Sequence, residues 1–332
     1  MKNQSSKKIE HIVSNFKNAR VMVIGDLILD EFLWGDVTRI SPEAPVPVVW
    51  VRKESFMPGG ASNVANNLRS LGGCVYLVGV IGNDERGAIL KGELERSRID
   101  TSGVFTDESR PTTLKTRVVA HHQQVVRIDK EKVDALDAGV TAKMINYVER
   151  MIGSVDAVII EDYGKGVISS SLLSKVVPIA KNSGKIISVD PKEEHFKYYK
   201  GVTTVTPNND EAARAVGFEI KDDASLKKAG QILLNKLNCK IVLITRGENG
   251  MAVFQKGKPM EHIPTVAQEV FDVSGAGDTV IASFTLSLAA GADAIRAAHI
   301  ANCAAGIVVG KIGIAVVTPQ ELINRIKREL AK

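Results

Sequence analysis

An acidic residue stands directly after a Gly-Ala-Gly turn and just before an apolar run of helical length. Gly275, Ala276 and Gly277 precede Asp278, and the apolar run spans residues 280–290. A glycine-rich turn that opens a helix points several backbone N–H groups at one spot, where the helix dipole also favours an anion. A carboxylate there suits a site in which it faces a neutral hydroxyl while the amides hold the phosphoryl group that this hydroxyl attacks. The pattern fits equally well a tight turn followed by a first-turn carboxylate that satisfies the dipole.

Several apolar runs typical of buried strands end in polar turns marked by glycine or proline. These runs are residues 21–24, 155–160, 185–189, 202–206 and 241–244. From residue 141 onward helical and strand patterns alternate, which favours parallel βαβ units. The carboxyl ends of strands in a doubly wound sheet converge on one edge, where ligands bind. The sequence therefore predicts an α/β fold with a doubly wound, mostly parallel sheet flanked by helices.

Two pairs of residues in those turns carry groups that bind metals or phosphates. Asn208 and Glu211 lie three apart at a predicted helix start and could hold water around Mg²⁺, which keeps much of its hydration shell. A capping box, with Asn208 as N-cap, fits the same spacing. Lys165 and Lys192 each follow a strand and could receive a substrate phosphate, although solvated lysines are much commoner.

The N-terminal part of the chain contains two further polar turns. Asp26 and Asp30 flank residues 27–29 and could hold sugar hydroxyls, while ordinary turn chemistry remains open for Asp26. Residues 58–63 form a glycine-containing turn, in which Ser62 or Asn63 is expected to cap the following helix.

A proline-rich segment interrupts this pattern and predicts a small β appendage. Residues 40–47 carry three prolines and lead into the extended stretch 48–51. Proline confines such a strand to a sheet edge. Strand patterns at residues 112–119 and 124–128 complete the appendage, which we expect to form a lid from segments near 35–55 and 111–129.

Composition excludes several classes of protein. A net charge of +5 over 332 residues, without a basic block, gives no indication of nucleic-acid binding. The longest apolar-rich run, residues 279–292, is shorter than a membrane span. Three distant cysteines predict a reduced cytoplasmic protein with buried thiols. Neither G-x4-G-K-[ST] nor G-x-G-x-x-G is present, so P-loop proteins and nicotinamide dehydrogenases are disfavoured.

Four motifs, which follow the family's order along the chain, resemble those of the PfkB, or ribokinase-like, family of sugar kinases. Gly59–Ala65 is similar to the family's first signature, and Asp272–Thr279 to its second. Asn208–Glu211 resembles its N-x-x-E magnesium motif, and Thr245–Gly250 its nucleotide-binding T-x-G-x-x-G. The resemblance implies a single ribokinase-like domain over residues 1–332, with ATP and Mg²⁺ as cofactors and a β lid that often forms a dimer interface.

The resemblance also implies a role for each matching residue. Asp278 would be the catalytic base, with Gly275, Ala276 and Gly277 as the anion hole. The remaining assignments are Asp30, Gly59, Gly60 and Asn63 for the sugar; Thr245, Gly247, Gly250 and Asn302 for the nucleotide; and Asn208 and Glu211 for Mg²⁺ through water.

Four stretches resemble the branch of this family that phosphorylates O1 of D-glycero-β-D-manno-heptose 7-phosphate in ADP-heptose synthesis for lipopolysaccharide. They are residues 39–47, 123–129, 162–166 and 190–192. The substrate's own phosphate then needs a cation, for which the candidates are Lys165, Lys192, Arg117 and Arg127.

Relatives in this branch often carry a C-terminal nucleotidyltransferase domain with an H-x-G-H pattern, which this sequence does not contain. A separate adenylyltransferase is therefore expected to act downstream. The alternatives are a kinase of the same fold for another sugar phosphate or a nucleoside, and a non-catalytic sugar-binding protein.

Overall fold

The apolar runs of the sequence become strands of two separate sheets. The computed structural model describes residues 2–121, 123–267, 269–311 and 313–331. In chain order the strands are β1 (Arg20–Gly25), β2 (Leu27–Ile40), β3 (Pro47–Gly60), β4 (Cys74–Gly82), β5 (Asp100–Asp107), β6 (Thr113–Ala120), β7 (Gln123–Lys130), β8 (Ala157–Glu161), β9 (Ile186–Asp190), β10 (Thr204–Val205), β11 (Ile241–Thr245), β12 (Met251–Gln255) and β13 (Glu261–Ile263).

The larger sheet has nine strands in the order β13-β12-β11-β10-β9-β8-β1-β4-β5. All its pairs are parallel except β11–β12 and β12–β13. This agrees with the predicted mostly parallel sheet. The apolar pattern of residues 74–81 likewise predicted β4, whereas β5, β12 and β13 were not predicted.

Helices cover both faces of this sheet. They are α1 (Lys2–Ser14), α2 (Ala61–Ser70), α3 (Glu85–Arg96), α4 (Ala138–Met151), α5 (Ser170–Asn182), α6 (Asn209–Val216), α7 (Asp223–Leu237), α8 (Ala276–Ala289), α9 (Ala294–Val308) and α10 (Pro319–Ala331). Along β1, Met22 and Ile24 pack in a core with α4, α5 and α7. Val21 and Val23 point the other way and pack with α1, α2, α8 and α10. This alternation is why a continuous apolar run marks a strand that is buried on both faces.

The second sheet has four strands in the order β3-β2-β6-β7 and is called the lid sheet below. Only Asp26 separates β1 from β2, so the chain passes directly from one sheet into the other. The lid strands begin earlier than the predicted segment near 35–55, because residues 27–29 are buried and pair with residues 58–60 of β3.

Two local expectations were wrong. The N-cap of α2 is Gly60, at φ 54°, and no side chain caps this helix, because it begins at Ala61 and so contains Ser62 and Asn63 within its first turn. Cys74 is exposed at the start of β4, whereas Cys239 and Cys303 are buried as expected. No helix within the described ranges has the length and apolar character needed to cross a bilayer.

Candidate active site

The Asp278 carboxylate is buried at the start of α8, with a hydrogen-bond donor on each oxygen. Asn63 Nδ2 donates to Oδ2 at 2.6 Å, and the Tyr163 hydroxyl donates to Oδ1 at 2.9 Å. Burial raises the pKa of Asp278 to about 6, although both hydrogen bonds lower it. A carboxyl with that pKa is ionised at neutral pH and is a stronger base than an exposed aspartate.

A chain of buried hydrogen bonds holds Asn63 in place. Asn67 Nδ2 donates to the Asn63 backbone carbonyl at 3.0 Å, and Thr279 Oγ1 donates to Asn67 Oδ1 at 2.9 Å. The chain therefore links α2 to α8 at Asp278 and at the residue after it. Because every partner is buried and satisfied, the network fixes the orientation of the carboxylate.

The Gly-Ala-Gly turn begins α8 with a left-handed residue. Gly275 is the N-cap at φ 74°, where a side chain would be strained and would meet Asn63 Nδ2 at 2.7 Å. The Ala276 N–H donates to the Val273 carbonyl at 3.2 Å. Within the described residues, the N–H groups of Gly275 and Gly277 have no acceptor, so these two amides are available to an anion.

On the lid side, Asp30 is buried against the glycines of the first motif. A Cβ added at Gly59 would lie 2.0 Å from Asp30 Oδ2, so only glycine fits there. Arg117 of β6 donates to Asp30 Oδ1. Burial raises the pKa of Asp30, and the Arg117 guanidinium opposes that rise. Gly60 passes close to the Asp26 carbonyl, which brings β3 back onto the main sheet.

Asp26 holds the loop after β8 in place through hydrogen bonds. This carboxylate accepts from the backbone N–H groups of Tyr163, Lys165 and Val167 at 2.9, 3.1 and 3.1 Å. These bonds reach a loop 137–141 residues away, so Asp26 neither makes a local turn bond nor has its carboxylate free for a sugar hydroxyl. The consequence of these bonds is functional, because the same loop carries the Tyr163 hydroxyl to Asp278.

Three carboxylates meet where β8 and β9 end. Oxygen atoms of Glu161, Asp190 and Asp278 all lie within 4.8 Å of one another. Glu161 and Asp190 are register partners on adjacent parallel strands. Burial raises the pKa of Glu161 well above its usual value, and the nearby Asp190 and Asp278 raise it further. Both Glu161 oxygens lack a hydrogen-bond partner among the described residues, and such buried hard oxygens suit a divalent cation.

Asn208 and Glu211 form the capping box that the spacing allowed. Glu211 N donates to Asn208 Oδ1 at 2.9 Å, and Asn208 N donates to Glu211 Oε2 at 2.8 Å. Glu211 keeps its second carboxylate oxygen, whereas the only side-chain oxygen of Asn208 already accepts the capping bond and could accept from a water only through its second lone pair. Both residues also line a cavity of about 280 Å³ together with the three carboxylates, so the capping role and a role toward water around a metal are compatible.

A second cavity, of about 490 Å³, lies beside the first and shares Thr245 and Gly277 with it. Its wall includes Gly247, Gly250 and Asn302. All four residues assigned to the nucleotide by sequence therefore line one cavity. The Asn302 amide donates to the Pro264 carbonyl at 2.7 Å, so this side chain positions the cavity wall.

Each of the four candidate cations for a substrate phosphate has a carboxylate partner. Lys165 Nζ lies 2.7 Å from Glu131, Arg117 contacts Asp30, and Arg127 Nε lies 3.0 Å from Asp129. Lys192 Nζ lies 4.0 Å from Glu193 and lines the cavity that contains Asp190 and Glu211.

The fold and the site together can be compared with known proteins. The family model described as pfkB family carbohydrate kinase matches residues 18–321. The chain belongs to the pfkB family of carbohydrate kinases. Within that family it is 47% identical over 310 residues to the bifunctional protein HldE of Desulfatibacillum aliphaticivorans, and 44% identical over 310 residues to that of Helicobacter hepaticus.

Those alignments cover 93% of this chain and 63% and 64% of the two relatives, so the chain spans less than two thirds of their length. Among solved structures, Arabidopsis thaliana ribokinase complexed with ribose and ATP is similar at a TM-score of 0.74 and 20% identity, over 93% of this chain and 98% of that one. Phosphofructokinase-2 from Escherichia coli has a TM-score of 0.76 at 19% identity, over 95% and 100%. These neighbours confirm the ribokinase-like fold.

Sequence reasoning assigned no role to four residues of this pfkB-family site: Tyr163, Glu161, Asp190 and Asn67. The first three lie at strand ends that the sequence did mark as polar turns. The polar turns were visible in the sequence, but the residues that these three side chains contact come from distant parts of the chain. Asn67 lies four residues after Asn63, a helical spacing that could have indicated contact between the two.

Proposed function

We propose that the chain is an ATP-dependent phosphotransferase with an alcohol acceptor, O1 of D-glycero-β-D-manno-heptose 7-phosphate. The product would be the 1,7-bisphosphate, in ADP-heptose and lipopolysaccharide-core synthesis. The observation that carries the proposal is the buried, doubly hydrogen-bonded Asp278 beside two available backbone N–H groups. The choice of acceptor is supported by the resemblance of four stretches to heptose 7-phosphate kinases and by 43–47% identity to proteins named HldE.

The transfer requires a base, an oriented hydroxyl and stabilised phosphoryl charge. In the proposal Asp278 accepts the proton of O1 while O1 bonds to the γ-phosphorus. The bond from that phosphorus to the bridging oxygen of ATP breaks, and ADP leaves. The N–H groups of Gly275 and Gly277 stabilise charge on the γ-phosphoryl oxygens, and that of Ala276 contributes only if it leaves the Val273 carbonyl.

The two substrates would approach Asp278 from opposite sides. Asp30, Gly59, Gly60 and Asn63 would hold the sugar, since Asp30 and Asn63 are buried polar groups on the lid side of the base. ATP would occupy the cavity lined by Thr245, Gly247, Gly250 and Asn302. Its γ-phosphate end would then lie at Gly277, where the two cavities meet.

Mg²⁺ would be held near the phosphates by Asn208 and Glu211 through water, with Glu161 and Asp190 as further oxygen donors. The buried, unpartnered oxygens of Glu161 are the observation that fits this ion. When bound, the ion would neutralise charge on the phosphates. Lys192 lines the same cavity and would add a positive charge there.

The lid sheet would close over the sugar and exclude water from the phosphoryl group. It also carries exposed apolar side chains, among them Ile40, Trp50 and Ile128 at 61%, 61% and 55% exposure. We propose that these residues form a homodimer interface in a cytoplasmic enzyme. An adenylyltransferase activity, separate from this kinase domain, would act downstream in the pathway.

The test is ADP release by the purified protein with ATP, Mg²⁺ and heptose 7-phosphate. Fructose 6-phosphate, ribose and unphosphorylated heptose serve as parallel acceptors, and Asp278→Asn is the control. Turnover confined to heptose 7-phosphate is expected, with kcat lower by roughly 10²–10⁴-fold in the variant. Turnover only with another acceptor would replace the heptose assignment, and silence with ATP still bound would favour a sugar-binding protein.

A further inference from the structure

One face of the lid sheet places positive charges next to Asp30. Asp30 on β2 is the register partner of Lys115 on β6, which is itself the partner of Asp129 on β7. Arg117 and Arg127 pair with each other two residues along the same strands, and so lie on the same face. This face therefore carries three cations against two carboxylates.

Lys115 meets Lys165, from the loop after β8, on a single carboxylate. Lys165 Nζ lies 2.7 Å from Glu131 Oε1, and Lys115 Nζ lies 3.9 Å from Glu131 Oε2 and 3.0 Å from Asp129 Oδ2. The two lysine side chains are only 17% and 13% exposed. Glu131 Oε2 is buried and has no hydrogen-bond partner among the described residues. Two mostly buried lysine side chains thus share the Glu131 carboxylate, and Lys115 contacts it without a hydrogen bond.

This cluster lies on the sugar side of Asp278. Lys165 follows Tyr163 by two residues, in the loop whose tyrosine hydroxyl bonds to Asp278. Lys115 is close enough to Asp30 to lower the pKa of that carboxyl, against the larger effect of burial and beside that of Arg117. Lys192 packs against Gly164 of the same loop but also lines the cavity of Asp190 and Glu211, and we assign it to the phosphoryl-transfer side.

We propose that Lys115 and Lys165 bind the phosphate group of the acceptor and that Glu131 competes with this phosphate for both ammonium groups. The inference rests on the proposed function in taking the acceptor to be a sugar phosphate. A phosphate dianion offers more charge and more acceptor oxygens than one carboxylate, so it satisfies two ammonium groups at once. Among the sequence candidates this selects Lys165 and adds Lys115, which sequence reasoning did not consider.

The experiment is a calorimetric comparison of two ligands that differ only in the phosphate: D-glycero-D-manno-heptose and its 7-phosphate. Lys115→Met and Lys165→Met should each lower affinity for the 7-phosphate by about tenfold or more, the size expected for a lost charged hydrogen bond. Affinity for unphosphorylated heptose should stay within about twofold. Lysine-to-arginine variants at the same positions restore the charge, and should recover part of the loss.

Glu131→Gln separates this role from a structural one. If Glu131 competes with the phosphate, the variant binds heptose 7-phosphate more tightly than the parent does. If the Lys165–Glu131 ion pair only stabilises the lid sheet against the loop after β8, the variant binds heptose 7-phosphate more weakly. Lys132→Met is the matched control, because Lys132 is adjacent in sequence but pairs with Asp134. An unchanged preference for the phosphorylated ligand in both lysine variants, or weaker binding in Glu131→Gln, would overturn the inference.

The same titrations with fructose and fructose 6-phosphate distinguish failure of the inference from failure of the proposed function. A phosphate preference seen only with fructose 6-phosphate, and lost in both lysine variants, would support the phosphate site while removing the heptose assignment. Turnover of heptose 7-phosphate with an unchanged preference in both variants would keep the proposed function and overturn the phosphate site.

Discussion

At the scale of single residues, the burial that makes Asp278 a stronger base also costs stability. Its pKa is about 6 in the folded protein and near 3.8 in an exposed chain. Between those values the folded state binds more protons, so the free energy of unfolding falls as pH rises through 6. The total loss is about 3 kcal/mol from this one group.

Asp278→Asn removes that loss, because the amide does not titrate. The free energy of unfolding of the variant, relative to the parent, should therefore rise by about 2 kcal/mol between about pH 4.5 and pH 7.5. Urea denaturation with EDTA measures this difference. Asp26, whose pKa is also raised to about 6, is present in both proteins and cancels. Glu161 does not cancel, because Asp278 raises its pKa; losing that charge in the variant adds to the difference in the same direction. A difference that does not vary with pH would show that Asp278 titrates normally.

Tyr163 is expected to position and tune the base without reacting itself. Tyr163→Phe removes one of the two hydrogen bonds to Asp278, which should lower kcat by roughly tenfold. Because the lost bond favoured the charged carboxylate, the acid limb of the pH profile of kcat/KM should move to higher pH. Tyr147→Phe is the matched control, since that hydroxyl shares a 2.8 Å bond with Ser102. An equal shift in both variants would remove the special role of Tyr163.

At the scale of elements, the loop 163–167 depends on Asp26 for its shape. Asp26→Ala leaves three backbone N–H groups without their acceptor, and should lower the free energy of unfolding by about 1–3 kcal/mol for each group that stays buried. It should also lower kcat, because the Tyr163 hydroxyl loses its fixed position. Asp156→Ala is a control that removes only one such bond, to the Arg20 N–H. Equal effects of the two variants on kcat would contradict this role of the loop.

Local sequence patterns predicted most strands of the main sheet but not how their ends meet. The runs at residues 21–24 and 241–244 became β1 and β11 because period and composition are local properties. The hydrogen bond between Asn63 and Asp278 spans 215 positions, so no local pattern could contain it. The sequence showed polar turns at both strand ends that carry Glu161 and Asp190. The proximity of these two residues, however, follows from the register of β8 against β9.

At the scale of the whole molecule, the lid sheet presents apolar residues that its own chain does not cover. Besides Ile40, Trp50 and Ile128, Val126 is 46% exposed. The outer strands β3 and β7 are both edges of the sheet, and an exposed apolar edge favours pairing with another chain. A second copy of the chain would cover this surface in an interface of ordinary size, which buries about 800 Å² on each partner.

The double variant Trp50→Lys, Ile128→Lys should therefore be monomeric at concentrations where the parent is a dimer. Its melting temperature, measured where the parent is monomeric, should change little because both side chains are mostly exposed. Sedimentation equilibrium gives the association constant, and ADP release shows whether the lid works without its partner. Val133→Lys introduces the same charge at a residue 58% exposed outside the lid strands, and should leave association unchanged. If the double variant dimerises as tightly as the parent, the interface lies elsewhere. If the parent itself is monomeric, the apolar surface of the lid sheet serves a different partner.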